Sequence, residues 1–247
     1  MATLGTVAAL LINTAGIGLR WQESYQAGIG YAPLSNMYES LVFFAWAIAL
    51  FYLGLEWKHK NRVLGAFSMP FACLSMAYAS LSPQFDKEIK PLIPALQSNW
   101  LIAHVITCFV GYAAFAVACG MGVMYLIKDR KASPAPESLL ASLPELKVLD
   151  DIIHKTLVFG FLWLSAGIIT GAVWANSAWG TYWSWDPKET WSLITWFVYA
   201  ATLHARFTRG WGGRRIAWLA VFGFLSVIFT YYGVNFLLSG LHSYGGR

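Results

Sequence analysis

Charge is what this sequence has least of. Lys, Arg, Asp and Glu make up 12% of the 247 residues, about half the share usual in a soluble domain, whereas 57% are hydrophobic. A water-soluble fold with a charged coat is thereby excluded, and the chain reads as an integral membrane protein in contact with the lipid bilayer. Cysteine is scarce too: Cys73, Cys108 and Cys119 all fall in apolar stretches, without a CxxC or a CxxCH. Dithiol redox exchange, a zinc knuckle and covalent tethering of a cofactor to this chain are excluded. The first apolar stretch follows Met1 without a basic leader, and Ala15-Gly16-Ile17-Gly18 is a poor cleavage site, so an uncleaved first span is expected rather than a signal peptide. Nothing repeats, and nowhere are basic and aromatic residues grouped as a nucleic-acid site groups them.

Long apolar runs are what the sequence has instead. A helix needs roughly 20 apolar residues to cross a bilayer, and seven runs qualify: about 3 to 19, 37 to 56, 63 to 81, 100 to 127, 156 to 175, 190 to 207 and 215 to 239. The expected fold is an all-α polytopic bundle of about seven spans, with residues 1–247 as a single integral-membrane domain. With the N-terminus in the cytoplasm and the C-terminus outside, twelve Lys and Arg fall on inside segments and five on outside ones, which satisfies the positive-inside rule. The net charge of +5 then reflects topology. Residues 128–155, broken by Pro134, Pro136 and Pro144, form a cytoplasmic connector, and residues 174–191 form an external tryptophan-rich segment.

That segment includes WGTYWSWDPKETW, residues 179 to 191. Tryptophan collects at membrane interfaces generally, but aromatic belts are spread over many helix ends, and this cluster is contiguous. Asp186 is placed as the N-cap of the sixth helix, with Pro187 in its first position. Capping does not call for Trp174, Trp179, Trp183, Trp185 and Trp191 within so few residues. A shelf of indoles suits a large flat π-system with polar edges, such as a porphyrin. Iron ligands should then lie at the same level, and His104, about one turn into the fourth span, and His242, just past the seventh, both do. His204 lies thirteen residues after Trp191, roughly 20 Å deeper. It belongs near the inner leaflet, beside Arg206 and Arg209, whose charges can meet propionates. His59, between Lys58 and Lys60, is a solvated loop residue. His154 opens the fifth span and stays open as a partner for His204.

The stretch AVWANSAWGTYWSWDPKETWSLITWFVYAATLHAR, residues 172 to 206, together with PLSNMYESL, NWLIAHV and GVNFLLSGLHSY, closely resembles the CcsA (ResC) cytochrome c biogenesis proteins. These belong to a wider tryptophan-rich (WWD) haem-handling family with CcmC and CcmF. The resemblance implies export and presentation of haem b as a transported substrate. It also implies a subunit of a holocytochrome c synthase that forms thioethers with the CxxCH of an apocytochrome c, beside a CcsB (ResB) membrane partner. By position, His104 and His242 correspond to the external haem ligands and His204 to the transmembrane one, whose second ligand the family takes from CcsB. WDPKET followed by WSLITW favours CcsA over CcmC. The competing reading is a CcmC-like loader that hands haem to a chaperone without completing attachment. A bacterial inner membrane is expected ahead of a thylakoid membrane. Relative to longer members of the group, an additional N-terminal helix is expected to be missing.

Overall fold

Because a bilayer offers backbone groups no water, an apolar chain of this kind satisfies them within helices. The structure, a computed structural model, describes residues 2–130 and 142–238. Its helices are α1 (Ala2–Gln26), α2 (Met37–His59), α3 (Leu64–Leu81), α4 (Asn99–Arg130), α5 (Leu146–Trp179), α6 (Pro187–Arg209) and α7 (Arg214–Ile228). A π turn, Phe229–Gly233, and a last α turn, Val234–Leu237, prolong α7. Among the described residues, six spans are long and apolar enough to cross a membrane: α1 to α5, and α7 with its extension, Arg214–Leu237. The seventh expected span, α6, has the length, but its Thr, Trp, His and Arg residues keep it outside that group.

Local chemistry sets the ends. Asn36 caps α2 by accepting from Glu39 N at 2.9 Å, and α2 stops at Lys60, whose φ of 53° is left-handed. Gly180 (φ 81°) ends α5 and Gly210 (φ 63°) ends α6 in the same conformation, which glycine adopts without a Cβ clash. Irregular chain between α5 and α6 is therefore confined to residues 180–186, and most of the 174–191 segment lies on helix ends. Helices likewise take up both flanks of the expected 128–155 connector.

The helices alternate in direction, so the bundle has a tryptophan end, where α5 meets α6, and a basic end, where α2, α4 and α6 finish. The core lies around α4, which packs on α2, α3, α5 and α7 and whose Ala114–Ala118 run is sealed from solvent. Backbones approach closely there: a Cβ on Gly120 would stand 2.3 Å from the Phe67 carbonyl oxygen of α3. Lipid gives no hydrophobic drive between helices, so contact through small residues is what holds such a bundle. Two ion pairs fasten its ends. Arg20 of α1 bonds Glu39 of α2 at 2.8 Å and the Lys87 carbonyl at 2.9 Å, while Asp150 of α5 receives Arg206 of α6 at 2.8 and 2.7 Å and Gly213 N at 2.7 Å.

Candidate functional site

At the tryptophan end, His104 points from the second turn of α4 towards α5. Its Nδ1 lies 2.8 Å from the Gly167 carbonyl oxygen. A carbonyl can only accept, so Nδ1 carries the proton and Nε2 is the basic nitrogen. This is the tautomer and the backbone partner of metal-binding histidines. The ring lies nearly parallel to Trp174, with centroids 5.9 Å apart and 17° between planes. Trp174 is held in turn: it is 3% exposed, donates from Nε1 to the Ala95 carbonyl at 2.8 Å and meets Trp179 edge-on at 5.0 Å. Gly171 makes room for this stack, since a Cβ there would stand 2.6 Å from His104 Nδ1. One turn beyond, the buried thiol of Cys108 lies 3.7 Å from the same nitrogen.

His104 opens onto a cleft between α4, α5, α6 and the π turn. Trp174, Trp183 and Tyr182 provide aromatic wall, Val105, Phe109 and Ile168 aliphatic and ring surface, and Lys188, Glu189, Thr230 and Tyr231 the polar groups. Counting open solvent at its mouth, the cleft holds ≈ 860 Å³ of empty volume, and ≈ 90 Å³ is open to the centre of a water molecule.

The turn from α5 to α6 forms the rim. Asp186 accepts from Lys188 N at 2.9 Å, and Glu189 in turn accepts from Asp186 N at 3.2 Å, a complete capping box. Glu189 Oε2 also receives Ser184 N at 2.8 Å and the Ser184 hydroxyl at 3.2 Å, so one carboxylate oxygen ties the whole turn. Between them sits Trp185 at φ 60°, a conformation that costs a bulky residue roughly 1–2 kcal/mol, with its indole 69% exposed. Trp183 meets Trp185 edge-on at 5.8 Å.

The expected indole shelf is thus divided. Trp174, Trp179 and Trp183 surround the His104 end, and Trp185 stands at the mouth. Trp191 turns away to the π turn, 4.1 Å from the Phe229 ring. Asp186 and Pro187 stand where the sequence puts them. His242 lies outside the described residues. His204 is on α6 towards the basic end, exposed on the helix face that also presents Ile194 and Phe197. The Arg206 expected to meet propionates is already bidentate to Asp150. His154 packs edge-on against Phe207 at 5.3 Å, with its Nδ1 buried and without a hydrogen-bond partner. Sequence reasoning passed over Gly167, Gly171, Lys188 and the turn-binding task of Glu189. Only the last had a local signal, the Asp-x-x-Glu spacing of a capping box.

Comparison with known proteins adds an independent line. A family described as cytochrome c assembly protein matches residues 34–242. The chain is similar to proteins named cytochrome c biogenesis protein CcsA. That of Guillardia theta is 44% identical over 257 residues, covering 97% of this chain and 84% of the relative. That of Prochlorococcus marinus (strain MIT 9313) is 42% identical over 272 residues, covering 99% and 84%. That of Picosynechococcus sp. is 40% identical over 302 residues, covering 99% and 88%.

Proposed function

The chain belongs to the cytochrome c assembly protein family, and from that premise we propose that it acts in c-type cytochrome biogenesis, holding haem at its tryptophan end for covalent attachment to an apocytochrome c. The observation that carries this reading is the setting of His104. Its proton is fixed on Gly167, its ring is braced by Trp174, and it faces an aromatic cleft. Nε2 is then the group for haem iron, and the Gly167 carbonyl raises its basicity. His242 is the proposed second ligand. Trp183 and Trp179 supply indole surface beside the macrocycle, Trp185 the exposed lip, and Asp186 the rigid turn that carries them.

Attachment itself asks little covalent chemistry of the protein. Each cysteine S–H adds across a vinyl C=C, sulfur to one carbon and hydrogen to the other, so no electrons leave the pair. Holding the vinyl rim at the mouth, where a CxxCH segment can reach it, is catalysis by positioning. At the basic end, the outward exposure of His204 fits a transmembrane haem site completed by a histidine of a CcsB (ResB) partner. The excess of Lys and Arg at that end fits a cytoplasmic orientation, in a bacterial inner membrane or a thylakoid membrane.

The test is co-expression with CcsB and a reporter apocytochrome, with absorption spectra of the purified protein. His104→Ala should lose most of the haem of the tryptophan end and stop maturation, and added imidazole should restore part of both. Maturation at the normal rate by His104→Ala without imidazole would refute the ligand assignment. Haem bound by the parent protein without covalent cytochrome would make it a loader.

A further inference from the structure

The aromatic wall and His104 explain how a flat iron complex is held, but not the two charged side chains on the opposite wall. Lys188 and Glu189 line the same cleft from the first turn of α6, and Lys188 is the one Lys or Arg among its described lining residues. Helix stability does not ask for that lysine, since the first turn favours acids and a cation there opposes the helix dipole. Its Nζ donates to Asn235 Oδ1 at 3.0 Å, and Asn235 is buried and fixed by the Tyr231 carbonyl. The ammonium is thereby tethered to the cleft wall rather than left to extend into solvent. Beside it, Glu189 is 9% exposed, and its Oε1 is buried with no hydrogen-bond partner although Oε2 collects three donors. Of the two, the cation is the group on this wall that a purely apolar ligand surface would cover at a cost.

We infer that Lys188 is the anchoring charge of a carboxyl-binding subsite at the first turn of α6, an assignment that rests on the haem reading above. Of the substituents on a haem rim, methyl and vinyl groups offer neither an acceptor nor a donor. A propionate offers oxygens that accept from the Lys188 ammonium, a charge-assisted bond. Anchoring the acid side of the macrocycle at α6 turns its other side towards the mouth. Lys188 is in this sense a positioning residue for the vinyl groups, and it makes the cleft selective for a dicarboxylic macrocycle over any flat apolar one.

The experiment varies the ligand as well as the protein. The full-length chain in detergent is titrated with haem and with haem dimethyl ester, in which both carboxyls are blocked, and binding is followed by the Soret band. Haem should bind at least about tenfold more tightly than the ester, the value of one hydrogen bond to a charged group. Lys188→Gln should erase that preference by weakening haem and leaving the ester unchanged, and Lys188→Arg should keep it. If the parent protein binds both equally and His104→Ala weakens both, the subsite is refuted while the haem reading stands. If it binds neither, both fall. The comparison of ligands is made on the parent protein, so it decides the matter even where Lys188→Gln misfolds.

Discussion

Gly171→Ala puts the positioning of His104 to a quantitative test. The new Cβ would stand 2.6 Å from Nδ1 and 2.7 Å from Cε1, about 1 Å inside ordinary contact, so the ring has to back away by roughly that distance. A bond of 2.8 Å to the Gly167 carbonyl does not survive such a shift as a bond. Its loss costs about 1 kcal/mol, and the disturbed stack on Trp174 costs roughly another 1 kcal/mol. Against this, alanine is better than glycine in a helix by about 1 kcal/mol. Overall stability should therefore fall by only about 1 kcal/mol, while affinity for haem, which needs the ring in place, should fall by about 2 kcal/mol, roughly thirtyfold. Gly54→Ala is the control, because a Cβ there meets nothing within 4 Å: stability should rise slightly and affinity stay put. Thermal unfolding and Soret titration read the two quantities separately. Haem binding by Gly171→Ala at the parent affinity and with the parent spectrum would show that the His104–Gly167–Trp174 arrangement does not define the site.

Asp186→Ala should destabilise the α6 end by about 1 kcal/mol in thermal unfolding, while Asp186→Asn keeps most of the cap; haem loss by Asn as complete as that of His104→Ala would instead assign the charge to the site. Trp185→Gly should stabilise the fold by about 1 kcal/mol through relief of its left-handed backbone, and a lower melting temperature would mean that the indole packs on something essential. For Trp183, Ala should lower haem occupancy more than Phe does, and equal losses would count against stacking. His154→Ala should leave cytochrome maturation intact in the co-expression assay and His204→Ala should severely reduce it; loss of haem in both, with partner histidine variants without effect, would place both ligands of the inner site in this chain.

What the sequence makes legible here is what short-range chemistry decides. Asp186 and Pro187 start α6 because a carboxylate and a ring without an N–H suit those two positions whatever lies around them. The helices follow from runs of apolar residues, and the levels of His104 and His204 follow from counting along them. Contacts that depend on how helices face one another escape this reading. Nothing local pairs Arg206 with Asp150, 56 positions earlier, and so the arginine expected at a propionate is spent on fastening two helices. Gly171 reads as an ordinary membrane glycine until α4 is laid against α5. Trp191, one step into the helix after its cluster, is carried by the helical phase to Phe229. The π turn arises where the Thr230 hydroxyl, held between Ser226 O at 2.8 Å and Trp191 O at 3.1 Å, binds α7 to α6, and no residue within Phe229–Gly233 announces it.

The modest apolarity of α6 bears on how the chain is made. A nascent segment enters the lipid when its own partitioning is favourable, and Trp, Thr, His and terminal Arg residues weigh against that for α6. Its crossing is then expected to lean on α5 or α7, both long and apolar enough to span a membrane. Translation order then matters: the WSWD turn and α6 leave the ribosome before α7 does. Only when the last helix follows do Thr230 and Asn235 arrive to receive Thr195 and Lys188. The ligand cleft is thus closed by the last described helix, and a chain interrupted before Phe229 lacks the Thr230 and Tyr231 that complete its lining.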